Sequence, residues 1–496
     1  MSGRVLVWFR RDLRVHDNPA LAAARAAGDV VPVFIFDEAL LQRKVFGATC
    51  VAFMVAALRD LAASLEALGC PLQWRIGDPR EEIPRMARDL RVDAVYWNRD
   101  YEPEAVRRDR DVATGLATAG VAVHTCKDHL VFEPDEIRNV QGQTFQRYSA
   151  FRSAWWKRWF ALPASERTSA SSPSSSLMRP SVVTLRATLL GAHAPLPSSV
   201  DLGYEDVPVT IDGGEHAAHT RLRAFVEGAL HRYSVGRNRP AVDETSVLSP
   251  HFRFGTLSPR TAIRAALDRL GEGGAVSRTD VHVWIDELIW REFFLHVMAG
   301  YSHVVDGPFR PTARVAPSRP DDAVARRLFQ AWCDGRTGYP LVDAGMRQVN
   351  RTGWMHNRVR MVVASFLVKD LRLDWRWGER YFMQRLLDAD LGVNNGNWQW
   401  CASTGTDAMP GYRIFHPELQ GKKFDPGGDY VRRYVSELAA VPTAQIHAPH
   451  RMSVATQADA DCRIGVDYPA PVVEHERARE EYLALTSSGG ASSYGG

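Results

Sequence analysis

The chain has 496 residues, of which 45% are hydrophobic and 24% charged, and its formal charge is +3. At roughly 150 residues per domain, that length predicts two to four units, and two large ones are expected. The near-balanced charge excludes a nucleic-acid binder that works through its whole surface, so such a partner must meet a local basic patch. Six cysteines (Cys50, Cys70, Cys126, Cys333, Cys401 and Cys462) lie far apart with neither CxxC nor Cys/His spacing. They read as reduced thiols, with no disulfide framework and no metal site signalled. The apolar run at 5–9 ends at Arg10 and Arg11, too short for a secretory core, and no apolar run approaches bilayer length. A cytoplasmic protein with no membrane partner is expected.

Residues 1–131 alternate β-rich runs with helical patterns. Candidate strands lie at 5–9, 30–36, 72–76, 92–97 and 121–124. Val51, Val55, Leu58, Leu61, Leu65 and Leu68 recur at helical spacing, with Gly69 as the C-cap. Strands separated by helices predict parallel βαβ units in a doubly wound, five-stranded sheet. No GxGxxG follows the first strand, so the usual dinucleotide fingerprint is absent. The charges after that strand, Arg10, Arg11, Asp12 and Arg14, read as a solvated loop. Residues 132–217 form a looser connector, with an aromatic helix-like piece at 153–159 and a stretch dense in Ser, Pro and Ala over 165–199. Helical periodicity dominates 218–480, beginning with Leu222, Phe225, Val226, Ala229 and Leu230, and Ser258-Pro259 makes a good N-cap and N1 pair. A mostly α-helical second domain is expected there, and a disordered tail over 481–496.

Three stretches carry groups that a plain core would avoid. Residues 353–400 place Asn357, Arg358, Arg360, Asp388, Asp390, Asn394, Trp398 and Trp400 among the apolar positions of two helical segments. Buried charges and amides are costly unless partnered, which argues for a ligand pocket. In VWIDELIWREFF (283–294), offsets of three and four put Trp284, Glu287, Trp290 and Arg291 on one stripe, although such a stripe is more often plain core. Thr245, Ser246 and Ser249 offer hydroxyls near a helix start, which suits phosphate oxygens but is also common in ordinary caps.

These stretches, with WFRRDLRVHDNPAL (8–21) and YWNRDYEP (96–103), resemble the photolyase/cryptochrome family, nearest to the class I cyclobutane pyrimidine dimer (CPD) photolyases. The resemblance implies an α/β antenna-type domain and a helical domain that binds FAD. It implies that Tyr233 and the run Thr245, Ser246, Leu248 and Ser249 clamp the flavin pyrophosphate, and that Trp284, Arg291, Arg360, Asp388, Asp390 and Asn394 bind the remainder. One of Asp388 and Asp390 is free to pair with Arg360 while the other meets the isoalloxazine edge. Asn394 would face flavin N5, where an uncharged amide tolerates the reduced, protonated ring. Glu287 and Trp290 would contact a flipped-out pyrimidine pair, with Asn357, Met361 and Trp400 shaping the same pocket. Trp398 and Trp375 match the first two members of the family's electron-relay tryptophans, but Asp322 stands where the third is expected, leaving Trp377 or a tyrosine to substitute. The catalytic set is therefore Glu287, Asn394, Trp398 and Trp375.

The family also implies a possible second chromophore, methenyltetrahydrofolate or a deazaflavin. It stays unassigned here, because Gly47-Ala-Thr-Cys50 stands where antenna-binding relatives often carry polar or basic residues. Lys422, Lys423, Arg432 and Arg433, extended by Arg237, Arg239, Arg358 and Arg413, would grip phosphates regardless of sequence. The implied activity is a lyase that repairs UV-damaged DNA in light, double- or single-stranded, as a monomer. Asn357 and Met361 occupy positions where (6-4) repair enzymes carry histidine, and Trp290 is usually Tyr in DASH-type relatives. The joint presence of Glu287, Trp290 and Trp400 speaks against a signalling cryptochrome.

Overall fold

Apolar runs build the inner strands of the sheet, VLVWF in the first, VVPVFIF in the second and AVYW in the fourth, as expected where both faces are covered, whereas the edge strands QWRIG and AVHTC are mixed. Its strands are β1 (Gly3–Phe9), β2 (Gly28–Asp37), β3 (Gln73–Gly77), β4 (Ala94–Asn98) and β5 (Ala122–Cys126). All pair in parallel, in the order β3-β2-β1-β4-β5. The expected doubly wound five-stranded sheet is thus present, with each strand close to its expected bounds. Leu6, Trp8, Val33, Val95 and Trp97 are buried on it, against Ile83, Met86, Val112 and Leu116. These observations come from a computed structural model that describes residues 3–167, 195–270, 276–311 and 315–488. Most of the Ser/Pro-rich segment expected at 165–199 lies outside the described residues.

Helices α1 (Pro19–Ala27), α2 (Ala48–Ala67), α3 (Pro79–Asp89) and α4 (Pro103–Thr118) alternate with the strands. Asn18 caps α1 by accepting from the Leu21 amide at 3.1 Å. Gly69, with φ of +76°, follows the end of α2 as expected of a residue that must enter the left-handed region. By length and composition α2 could cross a bilayer, contrary to the expectation that no run is long enough. Within the structure it is a core helix, with Cys50, Phe53, Leu58, Leu61 and Leu65 buried.

The chain divides into two compact units. The first comprises Met1–Tyr233, Thr245–Ser302 and Leu387–Gly392; the second comprises Ser234–Glu244, His303–Leu386 and Val393–Gly496. Besides the sheet, the first unit holds α5 (Tyr148–Ala161), α6 (Glu215–Glu227), α7 (Ser249–Phe254), α8 (Pro259–Asp268) and α9 (Arg278–Gly300). The stretch expected to be a loose connector therefore contains a helix, α5. Its Phe151, Trp155 and Trp159 are buried, and the aromatic helix-like piece read at 153–159 falls within it. Ser258 is the N-cap of α8 but its hydroxyl makes no capping bond.

The second unit is built of helices: α10 (Ala323–Cys333), α11 (Pro340–Thr352), α12 (Asn357–Ser365), α13 (Trp375–Arg385), most of α14 (Leu391–Ala402), α15 (Pro417–Phe424), α16 (Asp429–Tyr434) and α17 (His475–Ser488). Helix α11 packs against α12, α15 and α16. Helix α12 runs into a π turn, Phe366–Asp370, against which α17 packs. Helix α17 carries helical structure to Ser488, beyond the start of the tail expected at 481, because Ala478 and Tyr482 are buried along it.

Candidate cofactor and DNA site

Helix α9 positions the stripe read from the sequence. Trp284 is buried and tilts onto Phe225, which in turn meets Tyr233 edge-on at 5.7 Å. Glu287 and Trp290 are half-buried on the same helix. The Trp290 indole lies flat on Tyr148, ring centroids 3.5 Å apart and 7° from parallel. Tyr148 is itself fixed, since its hydroxyl donates to the Asp286 carbonyl at 2.9 Å. An indole backed by a second ring is held in one plane, which suits stacking on a flat ligand.

The Thr245–Ser249 segment is shaped by one residue. Val247 has φ of +48°, a left-handed conformation that a β-branched side chain rarely adopts and that costs on the order of 1–3 kcal/mol. Arg221 steadies the turn by donating from Nε to the Ser246 carbonyl at 2.7 Å. Leu248, next in the chain, is buried. The hydroxyls of Thr245, Ser246 and Ser249 take no partner among the described residues. Free hydroxyls on a strained turn are what a phosphate-binding segment requires.

Two of the expected cofactor residues have other duties. Asp390 is buried and pairs with Arg11, whose guanidinium also meets Glu102 at 2.5 Å and the His129 ring at 3.0 Å. Arg291 donates to the His129 carbonyl at 3.0 Å, to the ring of the same histidine at 2.7 Å and to the Phe252 carbonyl at 3.3 Å. Burial lowers the Arg291 pKa to about 10, against the pull of Asp390. Burial, followed by Arg291 and Arg11, drives His129 well below its ordinary value, so it is a neutral imidazole between two guanidiniums. Arg291 and Asp390, both expected at the cofactor, thus belong to a network that braces the segment carrying half-buried Asp388. Arg253 completes the brace by donating from Nε to the Ala389 carbonyl at 2.5 Å.

The same network overturns the reading of 10–14 as a solvated loop. Asp12 and Arg14 are buried, Arg14 pairs with Asp128, and Arg10 pairs with Asp109. The charged partners stand 91 to 379 positions away along the chain, so no local charge pattern could reveal them.

In the second unit, α12 begins at an N-cap His356 whose Nδ1 accepts from the Arg358 amide at 3.2 Å. Asn357 is exposed, and Arg358 lies over the Phe424 ring, donates to Asn238 Oδ1 at 2.7 Å and touches Met361 Sδ at 3.5 Å. Arg360 donates from Nε to the Met355 carbonyl at 2.8 Å. On α14, Asn394 donates from Nδ2 to the Glu379 carbonyl at 3.0 Å. Its Oδ1 accepts from no described residue, which leaves a nearly buried acceptor suited to a flavin N–H. The neighbouring Asn395 donates to Glu379 Oε1 at 2.8 Å.

Trp398 is buried, and Gly378 leaves room for it: a Cβ at 378 would strike the indole. Its ring neighbours are Phe382 at 5.1 Å and Trp332 at 6.2 Å. Trp332 stacks on Phe329, which meets Trp377 edge-on at 5.2 Å, and Trp332 also meets Tyr381 at 5.6 Å. Trp375 is buried at the start of α13 with no ring contact among the described residues. Trp332 was not picked out by sequence reasoning, since on an amphipathic helix it reads as ordinary core. Trp400 is half-buried.

Of the basic residues, Arg413, Lys422, Lys423 and Arg433 are exposed and Arg237 is half-buried. Arg432 is different. It donates to the carbonyls of Gly427, Val441 at 2.8 Å and Ala439 at 3.2 Å, so it is a staple of its own loop and not a phosphate ligand.

Residues 5–169 match the family model described as DNA photolyase, and residues 284–488 match the FAD binding domain of DNA photolyase. The chain belongs to the photolyase/cryptochrome family. It is 39% identical over 493 residues to deoxyribodipyrimidine photo-lyase of Synechococcus, covering 98% of this chain and 96% of that one. A bacterial class III photolyase from Agrobacterium tumefaciens is similar at a TM-score of 0.83 and 34% identity, over 98% of both chains. A Synechocystis cryptochrome is similar at a TM-score of 0.84 and 29% identity, over 97% of this chain and 99% of that one. The α/β domain followed by a helical FAD-binding domain is therefore the family's architecture. Each unit offers groups that suit a flavin: in the first, hydroxyls on the Val247 turn with no partner among the described residues, apt for phosphate, and in the second, the Asn394 acceptor, likewise without a described partner.

Proposed function

We propose that this photolyase-family chain is a deoxyribodipyrimidine photolyase, a carbon-carbon lyase that repairs cyclobutane pyrimidine dimers in light. Reduced FAD, when bound, supplies on excitation one electron to the dimer, which splits the cyclobutane ring and returns it. Thr245, Ser246 and Ser249, with Tyr233 and Leu248 behind them, hold the pyrophosphate; Trp284, Arg360, Asp388 and Asn394 face the remainder. Asn394 presents a carbonyl oxygen and no charge, so it accepts a proton-bearing ring nitrogen without repelling added negative charge. The observation that carries the reading is the pairing on α9 of a half-buried carboxyl, Glu287, with an indole held flat by Tyr148. Trp290 offers a stacking face to an everted pyrimidine pair, and Glu287 hydrogen-bonds base edges and steadies the charge that arrives there. Asn357, Met361 and Trp400 are the further lesion-contacting residues on this reading.

Exposed Arg413 and Lys422, with Arg237 and Arg358, bind phosphate oxygens irrespective of sequence, which serves a lesion that can occur at any adjacent pyrimidines. On this reading the substrate is double- or single-stranded damaged DNA, the protein acts as a cytoplasmic monomer of the class I type, and any antenna chromophore is a folate or deazaflavin. The test is to mix reduced protein with dimer-containing oligonucleotides, of one strand or two, and score dimers after blue or near-UV light against a dark control. Light-dependent loss is expected on both. No loss on either would favour a photoreceptor like the cryptochrome neighbour.

A further inference from the structure

Three groups at the meeting of α15, α17 and the π turn remain without a role in the chemistry above. His416 is the N-cap of α15, and His475 and Glu476 open α17. One ring nitrogen of each histidine and a carboxylate oxygen of Glu476 lie within 4.8 Å of one another. The imidazole centroids are 4.3 Å apart, and His416 Nε2 is 3.5 Å from Glu476 Oε1. Two imidazoles and a carboxylate, converging with one side open, form a ligand set typical of zinc, with water completing the tetrahedron.

A chance cluster of polar side chains would lack what stands behind this one. His475 is buried, and Asp370, fully buried at the end of the π turn, holds its Nδ1 at 2.5 Å. That bond fixes the tautomer and turns Nε2 toward a ligand, as the carboxylates behind zinc-bound histidines do. Asp370 ends the π turn, in which it and the adjacent Lys369 are both buried. Lys369 directs its ammonium elsewhere, to the Arg413 carbonyl at 2.8 Å and Ser403 Oγ at 3.3 Å. Asp370 Oδ2 and His416 Nδ1 are buried with no hydrogen-bond partner among the described residues, so the cluster is not satisfied by its own bonds. Glu476 is exposed, which leaves a path for an ion to enter.

We propose that His416, His475 and Glu476 bind one divalent zinc-type cation, with Asp370 orienting His475, and that the ion clasps the C-terminal helix α17 to the start of α15. None of these four residues is among those assigned above to the flavin or the lesion.

The experiment uses the full-length, FAD-loaded protein, first stripped of metal with a chelator and then titrated with zinc chloride by calorimetry. One equivalent should bind, and the thermal midpoint should rise with zinc but not with calcium. His416→Ala and Glu476→Gln, both at positions with solvent access and so compatible with folding, should each weaken binding at least about tenfold, and Asp370→Asn by about 10–100-fold. Cobalt(II) in place of zinc should give the visible bands of a tetrahedral site in the wild type and lose them in His416→Ala. Absence of saturable binding by the wild type overturns the proposal. So does zinc binding that the His416 and Glu476 variants leave unchanged, since the ion would then sit elsewhere.

Discussion

Glu379 shows how much one side chain can carry. Its carbonyl fixes Asn394 and its carboxyl fixes Asn395, while burial pushes its pKa up to about 7 against the opposing donor Asn395. A carboxyl whose folded pKa lies above its unfolded value gives stability that is complete below 4.5 and is lost as pH rises through about 7. Wild-type thermal stability should therefore fall between mildly acidic and mildly alkaline pH, by at most about 3 kcal/mol from this group. Glu379→Gln should remove that part of the slope. Because Glu292 in the other unit is also pushed up to about 7, chiefly by burial, the difference between wild type and variant at each pH is the quantity to measure. A slope identical in both proteins would mean that Glu379 stays ionised throughout. At Trp332 the prediction concerns electrons. Its indole touches Trp398 on one side and leads through Phe329 and Tyr381 toward Trp377 on the other. Trp332→Phe should slow photoreduction of the oxidised flavin several-fold, while repair by chemically reduced protein stays near wild type. If instead only Trp375→Phe slows it, the relay runs through Trp375 despite its lack of ring contact.

Among the elements, the strands and long helices were legible because each announces itself within its own sequence. The β-branched run of β1 and the helical spacing of α2 need no partner to be recognised. The stripe on α9 was legible for the same reason, since Trp284, Glu287, Trp290 and Arg291 lie within two turns. What could not be read was pairing at long range. Arg11 looks like one charge in a polar loop until Glu102 and Asp390 arrive from distant segments, and Arg432 looks like a surface cation until three carbonyls enclose it. The stacking of Trp290 on Tyr148 was hidden likewise, because Tyr148 lies on a helix within a stretch that composition marks as connector. The Arg11 network can be tested as a unit. Burial would lower the Arg11 pKa, but Asp390, Glu102 and Asp100 outweigh it and keep the guanidinium charged. Arg11→Ala leaves those carboxylates buried without their cation, so it should lower stability by about 3–5 kcal/mol in urea unfolding. A loss well under about 1 kcal/mol would show that the network behaves as an exposed surface pair.

For the molecule as a whole, a charge of +3 spread over 496 residues offers no general attraction to DNA, so affinity must come from a few placed cations. The structure separates cations available to phosphate from cations already engaged. Arg413 and Lys422 are exposed, whereas Arg432 is bound into its own loop. Each phosphate contact contributes roughly 0.9 to the slope of log affinity against log salt on duplex DNA. Arg413→Ala and Lys422→Ala should therefore each flatten that slope by about 1 and weaken binding to damaged and undamaged duplexes alike, leaving preference for the lesion intact. Arg432→Ala should leave the slope unchanged and act on stability instead, because what it loses is three backbone hydrogen bonds. Glu287→Gln should do the reverse of the surface changes, reducing discrimination for the dimer without altering the salt dependence. Fluorescence anisotropy on paired oligonucleotides across a salt series reads all four variants. A slope that falls in Arg432→Ala but not in Lys422→Ala would move the phosphate-binding face away from the exposed end of α15.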